Sequence, residues 1–212
     1  MASNPNTPWG LQPYQRKGSA DYRANAHMYY IANGNSNAFY VGDPVKRIAT
    51  PASANGVPTV TLASAGTSNL ITGVIVGIVG YGTSTPSAPV GSFFANSGTP
   101  GPAYIPASNS TGAYVMVDDD PNSLFVVQAD DSGGTQAVTT VGKNANLASG
   151  TGSKYTGWSG WKLASSTAGT QSTKQVVIVD FEQEVDNVAG NANAKFIVRI
   201  NQSTEGLAST GI

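Results

Sequence analysis

Three consecutive aspartates, Asp118, Asp119 and Asp120, stand between two valine-rich runs in "AYVMVDDDPNSLFVVQADD" (113–131). Clustered carboxylates are the residue type that holds a divalent cation or moves protons. A calcium loop, however, needs carboxylates at alternating positions, a central glycine and a distal glutamate. "DDDPNSLF" has none of that pattern. Adjacent residues at a strand end point to opposite faces, so successive carboxylates do not converge easily. "DDPN" is turn chemistry instead: aspartate favours the first turn position and proline presets φ at the next. The run is expected to be a turn closing a hairpin between strands at 113–118 and 124–129. "ADDSGG" (129–134) reads as a second acidic turn.

Other chemistry finds few residues. His27 is the sole histidine, so a Ser-His-Asp triad would have to use it. "GWSGW" (157–161) approaches the nucleophile-elbow pattern G-x-S-x-G, but Trp161 replaces its last glycine and no helical segment follows. Glu182, Glu184 and Asp186 could supply the carboxylate pair of glycoside hydrolysis. Their alternation puts them on one strand face, neighbours about 6–7 Å apart, where they read as a solvated stripe. Cysteine is absent, which removes disulfides, thiolate chemistry and cysteine-ligated zinc. There is no G-x-x-x-x-G-K-[ST], and "GIVGYG" lacks the strand-turn-helix setting of a dinucleotide site. No cofactor, metal site or enzymatic activity is expected. Tyr155, Trp158 and Trp161 in "YTGWSGW" remain as aromatics able to stack on a sugar or fill a partner pocket; a buried tryptophan pair is the competing reading.

The framework behind these residues reads as all-β. Runs rich in β-branched and aromatic residues occupy 38–48, 57–63, 70–80, 113–118, 124–130, 174–181 and 194–201, nearly all bounded by Gly, Pro, Asn or Asp. No long window carries a helical apolar period. A single sandwich or barrel over 38–201 is expected. Residues 1–37 form an extended arm with scattered aromatics, Trp9, Tyr14, Tyr22, Tyr29 and Tyr30. These suit anchoring in another subunit's pocket, or the arm wraps its own barrel. On the anchoring reading the arm is poorly ordered in the free chain, and deleting residues 1–20 leaves the barrel folded. Residues 81–112 are a long Pro/Gly/Ser loop and 202–212 a polar tail.

Only 11% of the 212 residues are charged, against about 25% in ordinary soluble domains. Such a surface suits burial against other chains. The net charge of −1 and the lack of a basic stripe argue against nucleic-acid binding. The longest apolar run, 70–82, is too short and glycine-rich to span a membrane, and the amino terminus has no apolar signal region.

Several stretches together resemble the cement, or decoration, proteins of tailed-bacteriophage capsids. They are "NPNTPWGLQP" (4–13), "YVGDPV" (40–45), "GVPTVTLASAGTSNLITGVIVG" (56–77), "YVMVDDDPNSLFVVQ" (114–128), "VGKNANL" (141–147), "SGTGSKYTGWSG" (149–160) and "NANAKFIVRIN" (191–201). The resemblance implies a jelly-roll-like barrel and a non-enzymatic homo-oligomer, dimer or trimer. Made in the bacterial host cytoplasm, it would sit on the outer capsid surface and clamp major capsid protein subunits. Trp9, Tyr14, Tyr22, Tyr29 and Tyr30 are then candidate capsid contacts. A carbohydrate-binding or adhesion module using Tyr155, Trp158 and Trp161 is the alternative.

Overall fold

The computed structural model describes residues 4–16, 26–49, 56–81 and 103–206. In chain order the strands are β1 (Gln12–Arg16), β2 (Ala26–Ile31), β3 (Phe39–Tyr40), β4 (Pro44–Ile48), β5 (Thr59–Leu62), β6 (Gly73–Tyr81), β7 (Tyr104–Ile105), β8 (Ala113–Asp118), β9 (Ser123–Gln128), β10 (Asn144–Ala148), β11 (Lys162–Gly169), β12 (Val176–Phe181) and β13 (Lys195–Ile200). No α-helix occurs among the described residues, only a short 3-10 turn at Val138–Thr140. The chain is all-β, as its turn-punctuated strand runs require.

Strands β2-β5-β4-β6-β8 close a five-stranded barrel, and β1-β9-β13-β12-β10-β11 form a six-stranded sheet; β3 and β7 pair separately. The sheet also curls back on itself. A parallel bridge joins Ala129, just after β9, to Leu163 of β11, and the Asp130 N–H donates to the Leu163 carbonyl at 2.9 Å. These strand orders establish a two-sheet all-β body; they do not establish a jelly roll.

The two rings repeat one another. In the barrel, β2 meets β5 in parallel, and every other neighbouring pair, β5-β4, β4-β6, β6-β8 and β8-β2, is antiparallel. The sheet has the same circuit in β9, β11, β10, β12 and β13. Local bonding repeats too. The Gly42 N–H donates to Ile75 O (2.8 Å) and the Ile75 N–H to Asp43 O (2.9 Å); Gly142 to Ile178 (2.8 Å) and Ile178 to Lys143 (2.8 Å) match them. Both glycines sit at positive φ, +93° and +88°, a backbone that disfavours any Cβ. A bulge follows Ile75 in β6 and Ile178 in β12. Taking Gly42 with Gly142 and Ile75 with Ile178, the register carries round the circuit. Val117 then falls with Val198, Tyr29 with Val127, Ile31 with Ala129, and Val60 with Leu163. Each pair is buried, one member in each ring's own core.

Alternation explains the cores. Along β8, Ala113, Val115 and Val117 point into the first ring; along β13, Phe196, Val198 and Ile200 point into the second. Ala63, Ile71 and Val74 from the first ring, with Leu11, join the second ring's core, so the rings pack as one body.

Several expectations change. The expected arm, 1–37, contains β1, an edge strand on β9, and β2, a full member of the barrel. The strands flanking the aspartate run do not pair with each other: β8 pairs with β2 and β6, whereas β9 pairs with β1 and β13. The turn is the link between the rings, not a hairpin tip. Most of the expected loop, 82–102, lies outside the described residues, as do Tyr22 and the end of the tail, 207–212.

Candidate functional site

Two of the aspartates build the inter-ring turn. Asp118 Oδ1 accepts the Asp120 N–H (3.2 Å) and the Ser123 hydroxyl (2.8 Å), and Asp120 Oδ1 accepts the Asn122 N–H (2.8 Å). Asp119 turns the other way. Its Oδ1 lies 2.8 Å from His27 Nδ1, and Tyr29 donates its phenol to Oδ2 at 2.8 Å. Burial first, then Asp119, holds the Tyr29 phenol well above its ordinary range. The His27 ring meets no serine or threonine hydroxyl among the described residues, so the His-Asp pair lacks the third member of a triad there.

The carboxylate stripe is corrected. Strand β12 ends at Phe181, so Glu182, Glu184 and Asp186 lie in the following turns and gather round one buried lysine. Lys195 Nζ is 3.0 Å from Glu184 Oε2 and 3.6 Å from Asp186 Oδ2, and its side chain is 4% exposed. Burial, the largest single influence, would lower the Lys195 pKa; the Glu184 hydrogen bond together with the charges of Glu184, Glu182 and Asp186 outweighs it, and the net shift is upward. Burial, reinforced by repulsion from Glu184, pushes Glu182 up to about 7. The ammonium also stands 4.8 Å over the Trp9 ring, a cation–π contact.

That contact fixes the amino-terminal segment to its own body. Asn4 exchanges two hydrogen bonds with the Val188 backbone, 2.8 and 3.1 Å, and Gln128 accepts the Thr7 N–H at 3.2 Å. Leu11 is fully buried. Of the arm's expected partner contacts, Trp9 is thus taken by Lys195 and Tyr29 is buried with its hydroxyl bonded. Tyr30 is half-buried against Tyr114, ring centroids 5.3 Å apart. Tyr14, on edge strand β1, stays 43% exposed.

The second aromatic group divides. Trp161 is 2% exposed and belongs to the second ring's core, which corrects its reading as a surface residue. Tyr155 is 98% and Trp158 42% exposed. Their loop is firmly built. Ser153 accepts the Gly157 N–H (2.8 Å) and donates its own to the Trp158 carbonyl (2.9 Å). Val41, in the other ring, accepts from Ser159 (2.9 Å) and donates to Gly157 (3.0 Å). Gly157 has φ +75°, and a Cβ there would collide with the Ala103 carbonyl. Alongside, Tyr40 and Tyr104 stack at 5.2 Å with 8° between ring planes. Backbone bonds to Val41 and the close approach of Gly157 to Ala103 therefore hold the loop that presents Tyr155 and Trp158.

A recess of about 170 Å³ is lined by Tyr40, Asp43, Gly152 and Trp161 among others. Asp43 is 2% exposed and accepts the Tyr40 N–H at 2.8 Å. Burial pushes its carboxyl up to about 6, against the opposing pull of hydrogen bonds from Ser159 and Tyr40. Asp43 and Lys195 escape sequence reasoning: the first sits in an ordinary turn string, "YVGDP", and the second in alternating strand sequence. Among the described residues no group of three or more His, Asp or Glu side chains is arranged to hold a metal ion. No protein-family model, curated protein or solved structure matches the chain.

Proposed function

We propose that the chain is a structural decoration protein of a bacteriophage capsid, bound to the outer surface and stabilising contacts between major capsid protein subunits. The observation that carries the docking role is the Tyr155–Trp158 loop. A nearly fully exposed tyrosine and a half-exposed tryptophan stand on a loop locked by backbone bonds and a glycine wedge. Rigid aromatics lose little conformational freedom on binding, which is why such side chains dominate interface energetics. The low charge fits a surface covered in an assembly. The capsid as partner rests on the sequence resemblance. The test is binding of the purified chain to capsids assembled without it. Wild-type chain binds, Tyr155→Ala and Trp158→Ala bind at least tenfold more weakly, and raising salt from about 0.1 to 0.5 M changes little, because few charges are involved. Failure of wild-type chain to bind overturns the reading.

The exposed Tyr155 and Trp158 side chains also suit stacking on a pyranose, which keeps the carbohydrate-binding alternative. Glycan-array binding lost in Trp158→Ala, with no capsid binding, would establish it.

A further inference from the structure

The internal repeat allows each face of one ring to be compared with its counterpart in the other. In the second ring the outer face of β9, β13 and β12 carries Leu124, Val126 and Ile197, only 4–5% exposed, with Val179 beside them. Trp9 packs on these residues and β1 runs along β9. An extended, mostly uncharged segment thus covers that face and seats one aromatic, Trp9, on it.

The register that pairs Ile75 with Ile178 places Met28 at the position of Val126, Met116 at that of Ile197, and Val76, the bulge residue, at that of Val179. Met28 and Met116 are direct partners in the β2–β8 ladder. The first ring therefore carries the same apolar outer face, and it is only half covered: Met28, Val76 and Met116 all retain partial exposure. Lys195, which caps Trp9 in the second ring, corresponds to Tyr114, which packs against Tyr30. Methionine is flexible and polarisable, suited to accepting a side chain from outside.

We propose that the Met28–Val76–Met116 face of the first ring is a docking site for an extended, aromatic-bearing segment of the major capsid protein, held as the Trp9 segment is held on the second ring. The proposal rests on the capsid reading above and adds a second contact to it, on a different ring from the Tyr155 loop. Two contacts on one rigid body are what a clamp between neighbouring subunits needs, because the second engagement is then intramolecular.

The experiment uses the full chain with Met28→Glu and, separately, Met116→Glu. Thermal unfolding confirms folding, sedimentation gives the oligomeric state, and binding is measured on capsids lacking the chain. The expected result is a folded variant, an unchanged oligomeric state, and capsid affinity reduced at least tenfold. Wild-type binding together with undiminished variant binding overturns the docking face while leaving the capsid reading intact. A wild-type oligomer that either substitution dissolves, with capsid affinity unchanged, overturns it in favour of a second copy of this chain. Wild-type chain that does not bind capsids overturns the capsid reading and this occupant with it. If either substitution unfolds the chain, Met28→Gln and Met116→Gln serve instead, with the same outcomes.

Discussion

Asp43→Asn should stabilise the protein at neutral pH, although it removes an ionised group with hydrogen-bond partners. Asp43 is 2% exposed and its carboxyl titrates near 6, against an ordinary 3.8. Burial disfavours its charge by more than the Tyr40 N–H and Ser159 hydroxyl repay. A carboxyl whose pKa is raised on folding opposes folding once it is ionised. Its contribution is neutral below pH 3.8, worsens as pH rises to about 6, and is constant above that. The gap corresponds to about 3 kcal/mol at pH 7.5. Asparagine keeps an oxygen for the Tyr40 N–H, and Ser159 can rotate to accept from the new amide. Incomplete recovery of those bonds takes back about 1 kcal/mol, so a net gain of about 1–3 kcal/mol is expected. Urea unfolding of both proteins at pH 3.5, 5 and 7.5 measures it. The curves should differ little at pH 3.5 and separate through the interval from about 4 to 6. A variant less stable than wild type at pH 7.5, or one with wild-type pH dependence, refutes the reasoning.

Lys195→Met should destabilise by about 1–3 kcal/mol, because it removes the charge-assisted bond to Glu184, a carboxylate half exposed to water, and tryptophan fluorescence should report the loss of the cation over Trp9. Glu182→Gln should raise stability above pH 7 and not below pH 4.5, since Glu182 titrates near 7 in the fold. Gly42→Ala and Gly142→Ala should each cost about 1–2 kcal/mol for their positive φ, Gly42→Ala more because its Cβ would also strike the Trp9 carbonyl. Deleting residues 4–16 should lower the midpoint of thermal unfolding markedly, the reverse of the outcome expected of a loose arm, since it strips Leu11 from the core and β1 from β9.

The strands legible in the sequence were those dense in β-branched residues: β4, β5, β6, β8, β9, β12 and β13. Strands β10, "NANLA", and β11, "KLASSTAG", were not, because their positions are filled by small polar residues and sheet pairing, not propensity, decides their state. Strand β2 was hidden inside the presumed arm for the opposite reason: its aromatics Tyr29 and Tyr30 read as anchors when one is core. The repeat left two traces, Val41-Gly42 against Val141-Gly142 and Val74-Ile75-Val76 against Val177-Ile178-Val179. Both mark backbone constraints, a positive-φ turn and a bulged strand. The aspartate turn was legible because its chemistry is local. The expected hairpin was wrong, since the pairing of β8 and β9 is decided by contacts far along the chain. Exposure of Tyr155 and burial of Trp161 depend on which side of the loop faces the second ring, and that is set by the Val41 bonds from the first.

Capsid docking is tested most directly by a density map of the virion, or of capsids decorated with the purified chain, at a resolution that orients a two-ring body. This body should lie on the outer surface, bridging adjacent coat subunits, with the Tyr155–Trp158 loop in contact with coat density. A body absent from the capsid, or one whose Tyr155–Trp158 loop faces solvent, would contradict it.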